Sequence, residues 1–261
     1  MEMNMSSDGH RAKKSLGQNF LVDENTCRRI ADAVCALPGE RVLEIGPGKG
    51  AITRFVAECD FDDYRVLERD EDLADRLEDE FPELDVMRTD ALKYPWEDLE
   101  SDWIVAGNLP YNIGSKLIWD IVSQTECACA FMVQHEVAAR LTASPGCKQY
   151  GGLTAWVGNF CRTRYLFKVP PTVFRPKPKV DSAVVEFIPF SRQQRPPHPQ
   201  KLAQLLKLCF QKRRKQLGNI LKSRMNDEVE AWFQNGPVKL TDRPENLSPE
   251  QFRELSTLVF S

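Results

Sequence analysis

Arg41-Val42-Leu43-Glu44-Ile45-Gly46-Pro47-Gly48-Lys49-Gly50 decides the fold. The first five residues read as a buried strand, the glycines as a tight loop, and 51–58 as a helix. Strand, glycine loop and helix form the nucleotide-binding opening of a doubly wound sheet. About twenty residues on, Tyr64-Arg65-Val66-Leu67-Glu68 is a second strand ending in an acid. A carboxylate there is placed to accept both hydroxyls of a ribose. Up to this point a dinucleotide and S-adenosylmethionine fit equally well.

The glycine spacing separates them. A pyrophosphate binder carries G-x-G-x-x-G, which leaves amides free at the helix start. This chain has Gly46-x-Gly48-x-Gly50 with Glu44 two residues ahead. That form resembles the first motif of class I methyltransferases, whose glycines admit the methionine part of the cofactor. In the third unit Asp70 is expected to cap an acidic helix ending near Phe81. A short strand follows over 84–88, then Thr89-Asp90-Ala91-Leu92. Asp90 is placed to accept from an adenine amino group while the backbone around Ala91 meets the ring edge. A plain cap of the following turn is the competing reading.

The fourth strand, Trp103-Ile104-Val105-Ala106, runs into Gly107-Asn108-Leu109-Pro110-Tyr111-Asn112-Ile113-Gly114. Its polar residues emerge at the strand's carboxyl end, where open α/β sheets bind ligands. The Asn108 amide oxygen is an acceptor. Pro110 stiffens the backbone and steers Leu109 away from helix, and Tyr111 offers a flat face. The set suits a planar amine; it also suits an ordinary strand-to-helix turn.

Beyond it, 114–122 reads as a helix and 127–133 as a fifth strand. His135 follows without an acid or nucleophile partner, as a surface or polar-pocket residue. A mobile loop is expected over 144–152, a helical segment over 153–161, and strands over 164–169 and 181–188. Between those strands four prolines hold Phe174 on a stiff loop beside Arg175, Lys177 and Lys179. The ring is expected to face outward and stack on a base while the cations meet phosphates. Three prolines within 193–199 mark a domain boundary. The expected organisation is a disordered tail over 1–12, a Rossmann-like domain over 13–192 and a basic helical domain over 193–261. In the last, one helix is expected over 201–222, carrying Lys212, Arg213, Arg214 and Lys215 as phosphate contacts, with further helices over 228–233 and 248–260.

Bulk properties narrow the class. The 261 residues are 42% hydrophobic with a net charge of −3. That small figure hides 19 acids against 5 bases over 58–102, and 16 bases against 2 acids over 162–224. A basic third of this kind suits a polyanion. No stretch approaches the roughly 18 apolar residues of a membrane span. A polar N-terminus without an apolar core points to the cytoplasm. Eight cysteines and three histidines show no metal-ligand spacing, so no metal is expected, and Cys127 and Cys129 read as buried free thiols.

Five motifs in order carry a resemblance over nearly the whole chain, from about Lys13. They are Leu16-Gly17-Gln18-Asn19-Phe20-Leu21, the glycine loop, Asn108-Leu109-Pro110-Tyr111, Phe174-Arg175-Pro176-Lys177-Pro178-Lys179-Val180-Asp181-Ser182, and Phe210-Gln211-Lys212-Arg213-Arg214-Lys215. The chain resembles the bacterial KsgA-type ribosomal RNA adenine dimethyltransferases. The resemblance implies a class I methyltransferase fold, α/β with a seven-stranded sheet, and a small helical C-terminal domain. It implies S-adenosylmethionine held by Asn19, Leu21, Gly46, Gly48, Glu68, Asp90, Ala91 and Asn108. Catalysis would fall to Asn108, Leu109, Pro110, Tyr111 and Phe174. The implied substrate is two adjacent adenosines in a hairpin near the 3′ end of 16S rRNA, within an immature small subunit, with the enzyme a monomer. An assembly factor with secondary methylation, or an adenine methyltransferase acting on 23S rRNA or DNA, are the alternatives. Two positions depart from the family pattern: Gly152 where arginine is common, and His135 where lysine is usual.

Overall fold

The computed structural model describes residues 18–261. The expected tail and the first part of the N-terminal motif, through Gly17, lie outside the described residues. The chain opens with strand β1 (Phe20–Leu21) and helix α1 (Glu24–Cys35). Asp23 caps α1, accepting from the Thr26 N–H at 3.0 Å. Cys27, Ile30, Ala31 and Val34 give α1 its buried stripe. Then come β2 (Arg41–Ile45), α2 (Thr53–Val56), β3 (Asp63–Glu68), α3 (Glu71–Glu80), β4 (Asp85–Arg88) and β5 (Trp103–Asn108). After them follow α4 (Gly114–Gln124), β6 (Ala128–Gln134), α5 (His135–Leu141), α6 (Gly152–Val157), β7 (Cys161–Val169), β8 (Phe174–Arg175) and β9 (Ser182–Pro189). The C-terminal helices are α7 (Pro199–Gln211), α8 (Leu217–Leu221), α9 (Asp227–Asn235) and α10 (Pro249–Val259).

Seven strands form one sheet in the order β4-β3-β2-β5-β6-β9-β7. β2 through β6 pair in parallel, while β9 runs antiparallel to both β6 and β7. This is the class I methyltransferase fold. The chain leaves β2 toward β3 on one side and later returns to β5 on the other, which places the ligand crevice at their carboxyl ends. Side chains alternate across the sheet: Leu43 and Val105 enter one apolar cluster, Val42 and Ile104 the other. The continuous apolar run of β5 is that of a strand covered on both faces.

Several expectations change. α2 keeps only four residues because the glycine loop continues as turn through Ile52. The segment after α6 leaves the helix, and Cys161 already belongs to β7. Asp70 sits at the start of α3 without a side-chain capping bond; its carboxylate instead accepts from the Gln18 amide at 2.9 Å. The helix expected over 201–222 breaks at the basic run, which forms a turn between α7 and α8. Tertiary partners explain the break. The Arg213 guanidinium meets the Glu245 carboxylate and the Lys148 carbonyl, both at 2.6 Å. The Leu217 and Gly218 amides donate to the carbonyls of Asp242 and Leu240.

The same latch holds the 144–152 loop, expected to be mobile. Gly146 N–H donates to the Glu245 carbonyl, and Tyr150 is fully buried against Phe210. A Cβ on Gly152 would stand 3.3 Å from the Phe210 ring, so a longer side chain there must displace or skirt that ring. The C-terminal helices share one continuous apolar cluster with the sheet, from Leu43 through Leu117 and Leu206 to Val259. Cys35 and Cys59 form a disulfide between the end of α1 and the segment after α2, while Cys127 and Cys129 are free and buried.

Candidate active site

The cavity at the carboxyl ends of β2 and β5 gathers the predicted residues onto one wall system. Asn19, Leu21, Gly46, Gly48, Glu68, Asp90, Ala91, Asn108, Leu109, Pro110 and Tyr111 all line it. Gly46, Gly48 and Gly50 hold φ of +63°, +60° and +72°, conformations that favour glycine. A Cβ on Gly46 meets nothing within 4 Å, so a side chain there would project into open space beside the loop. A cofactor chain can therefore approach that backbone closely. Gly48 answers to a different neighbour: a Cβ would stand 3.1 Å from the Phe20 ring.

Glu68 fastens the loop to the next strand. Its Oε2 accepts the Gly48 N–H at 3.1 Å and its Oε1 the Asp70 N–H at 2.8 Å. Burial raises its pKa above the ordinary carboxylate value, and these amide bonds oppose the shift. Asp90 both caps and lines: Oδ1 accepts the Leu92 N–H at 3.0 Å, while Oδ2 meets Arg69 at 3.2 Å. The capping and cavity readings therefore coexist at this residue.

The Asn108 segment is a turn and an acceptor array together. Asn108 ends β5, and its Nδ2 donates to the Asn19 carbonyl at 3.4 Å. The Leu109 N–H donates to the Met132 carbonyl at 3.0 Å. The Pro110 carbonyl accepts from Ile113 and Gly114 at 3.1 and 2.9 Å, closing the entry to α4. Among the described residues no hydrogen bond ends on the Leu109 carbonyl. Leu109, rather than Pro110, thus keeps a backbone acceptor for a ligand. The Tyr111 hydroxyl lies 2.8 Å from Ser182 Oγ, which fixes the ring, and burial raises its pKa.

Phe174 departs from expectation. It is 0% exposed and is not among the residues lining the cavity. β8 pairs antiparallel with β1, setting Leu21 against Phe174 and Phe20 against Arg175. The pleat then turns Phe174 into the apolar cluster and Arg175 outward. The proline-rich loop is a clamp on the N-terminal strap, not a platform presenting a ring. Arg175, Lys177 and Lys179 are exposed, although Arg175 Nη1 donates to the Thr172 and Phe174 carbonyls. Lys212, Arg214 and Lys215 are exposed as well, whereas the latch engages Arg213. His135 is exposed, its ring edge-on to Tyr165 at 6.0 Å.

Three cavity or wall residues carried no expected role. Glu44 lines the cavity while 2% exposed, and burial pushes it up to about 7 against bonds from Tyr64 and Thr53. Its place ahead of the glycines was the available signal. Ser182 sets Tyr111 from 71 residues away, and Phe20 covers Gly48. Neither pairing has a local signature. Among the described residues no group of three His, Cys, Asp or Glu is placed to hold a metal, and no helix is long and apolar enough to cross a membrane.

A family model described as ribosomal RNA adenine dimethylase matches residues 9–259. The chain belongs to this family. Its members are S-adenosylmethionine-dependent methyltransferases, and the cavity fits that cofactor through the open approach at Gly46 and the acids ending successive strands. A ribosomal RNA small subunit methyltransferase A from Maridesulfovibrio salexigens is 54% identical, covering 94% of this chain and 95% of that relative. One from Saccharophagus degradans is 40% identical over 97% of this chain and 96% of its own. Among solved structures, a Plasmodium falciparum dimethyladenosine transferase is similar with a TM-score of 0.74 at 25% identity, covering 90% and 95% of the two chains. The 23S rRNA methyltransferase ErmE follows at 0.71 and 25%, covering 93% and 100%.

Proposed function

We propose that this chain uses S-adenosylmethionine to dimethylate N6 of two adjacent adenosines in a 16S rRNA hairpin near the 3′ end, within an immature small subunit. The observation that carries the reading is the pair of acceptors at Asn108 and Leu109, which share one cavity with Gly46, Glu68 and Asp90. When bound, the cofactor supplies an electrophilic methyl on a sulfonium. Glu68 would take the ribose hydroxyls and Asp90 with the Ala91 backbone the adenine. Asn19 and Leu21 would close over the rest, held by the β1–β8 clamp.

The target amine is a weak nucleophile because its lone pair is delocalised into the ring. It is also barely acidic, so a base is not the first need. The Asn108 side-chain oxygen and the Leu109 carbonyl accept the N–H groups it carries, two before the first transfer and one before the second, and draw the nitrogen toward a tetrahedral shape. They stand preorganised where positive charge develops, and alignment of lone pair and methyl supplies much of the remainder. The base must leave its stack to enter, and Tyr111, fixed by Ser182, gives it one aromatic face. The surplus proton passes to water.

Incubating immature small subunits with the protein and cofactor should yield two adjacent dimethyladenosines on mass analysis of the rRNA. Unmodified rRNA, or modification confined to 23S rRNA, would overturn the reading. Arg175, Lys177, Lys179, Lys212, Arg214 and Lys215 are the proposed phosphate contacts. Changing Lys212, Arg214 and Lys215 to Gln should weaken RNA binding and flatten its log–log salt slope by about 2 to 3. Changing Arg213 should instead lower stability, since it serves the latch. An unchanged slope in the triple variant would place the RNA surface elsewhere.

A further inference from the structure

Two buried carboxylates face one cavity. Glu44 and Glu68 are 2% and 6% exposed. Glu44 Oε2 accepts the Thr53 hydroxyl at 2.7 Å and the Tyr64 hydroxyl at 2.5 Å. Glu68 accepts two backbone amides as described. Among the described residues neither forms an ion pair, and Glu68 adds its own repulsion to Glu44. The titratable and polar groups around Glu44 are Thr53 of α2 and Tyr64 of β3, which bond it, and Glu68 of β3 and Cys27 of α1, which interact with it through charge. On the cavity's rim stand Lys49, Arg69 and Asp90, the last two paired with each other. Asp70 is buried behind Glu68, Asp23 and Glu24 lie at the start of α1, and Arg54 is turned to Glu80 at 3.6 Å. The cavity therefore carries more acids than bases, and one of the acids is a carboxyl group whose ionisation burial resists.

We propose that Glu44 is a proton-linked positioning residue, protonated when the cavity holds no cation and ionised when a cationic cofactor enters, so that the pocket separates the sulfonium donor from its neutral thioether product by charge. The inference rests on the cofactor reading above. On binding, the Glu44 carboxyl O–H bond breaks, the proton passes to solvent, and the carboxylate keeps the electron pair beside the ligand's charge. The thioether product lacks the sulfonium charge, so Glu44 recovers a proton and the product's hold loosens. Two hydroxyls on one oxygen stabilise the ionised form, while burial and Glu68 stabilise the neutral one. This balance keeps the carboxyl group within reach of neutral pH, where a ligand charge can tip it.

Titration calorimetry on the full chain, with S-adenosylmethionine and with S-adenosylhomocysteine, tests this near pH 7 in buffers of different ionisation enthalpy. The methyl donor's apparent binding enthalpy should vary with the buffer and report a fraction of a proton released, a larger fraction than the product releases. The donor-to-product affinity ratio should rise between pH 5.5 and 8, about tenfold for each unit by which ligand charge lowers the carboxyl pKa. Glu44→Gln should abolish the difference in proton release between the two ligands and flatten the ratio. Thr53→Val, which removes one hydroxyl from the ionised form, should move the proton-release profile to higher pH. Binding of both ligands with no buffer dependence, or an unchanged difference in Glu44→Gln, would overturn the linkage while leaving the cofactor reading intact. Should Glu44→Gln fail to fold, an unshifted profile in Thr53→Val would overturn it. Absence of binding by either ligand would overturn both.

Discussion

Asn108→Ala lowers the rate of methyl transfer by about two to three orders of magnitude, the scale of losing one preorganised charge-stabilising group. Alanine removes the side-chain acceptor proposed for the target amine and the Nδ2 bond to the Asn19 carbonyl. The first loss should fall on the reaction barrier and the second on the strap at Asn19, the proposed cofactor contact. Cofactor affinity should therefore fall by less than about tenfold, since a single hydrogen bond contributes about 1 kcal/mol. RNA affinity should hold. Single-turnover transfer from labelled cofactor to immature small subunits, with calorimetry alongside, separates the two effects. Wild-type turnover in the variant would remove Asn108 from the chemistry. If turnover and affinity fell together by the same factor, Asn108 would be a cofactor ligand alone.

Gly107→Ala is the most damaging single methyl group expected in the sheet. The residue lies one position before the acceptor and pairs across from Ile45 in the parallel register of β2 and β5. A Cβ there would stand 2.5 Å from the Ile45 carbonyl oxygen and 3.2 Å from the Ile45 Cβ, at a φ of +156°. The obstructing atom is strand backbone inside the sheet, so it yields only if the strands shear apart. Overpacking and backbone strain together should destabilise the protein by about 3 kcal/mol or more, lowering the melting temperature by about 10 °C. Methyl transfer should fall even below that temperature, because shear at Ile45 moves the glycine loop against Asn108. Gly146→Ala is the control. Its φ of +83° is also unfavourable to alanine, yet nothing lies within 4 Å of the new Cβ, so a loss of about 1 kcal/mol is expected. Equal melting temperatures for the two variants would mean that the close approach to Ile45 is not what requires glycine.

Much of the site was legible because its parts sit at strand ends in fixed order. The glycine loop, Glu68, Asp90 and Asn108 each stand at or just past the carboxyl end of a strand, and a doubly wound sheet brings such positions together whatever their distance in sequence. Phe174 was misread for a reason that is equally physical. Prolines and lysines around a ring suggest exposure, but antiparallel pairing with two residues far upstream set its pleat and turned it inward. The basic run shows the same limit: its amphipathic period continues a helix, while Glu245 and the Lys148 carbonyl draw Arg213 out of it. The acid of Glu44 was visible as a letter in the motif and not as a buried carboxyl group without an ion-pair partner among the described residues.

By itself, the sequence determined the order of the strand units, the glycine loop, and the polar strand ends that form the crevice, because period and turn chemistry are local properties. The tertiary structure decided which acceptors stay open, which cations face solvent, and which ring is core. It left Leu109 rather than Pro110 with a free carbonyl, tied Arg213, and buried Phe174. Those outcomes depend on competition for hydrogen bonds and apolar contacts between residues far apart in the chain, as with Leu21 opposite Phe174 in the β1–β8 pair, and no local pattern encodes who wins.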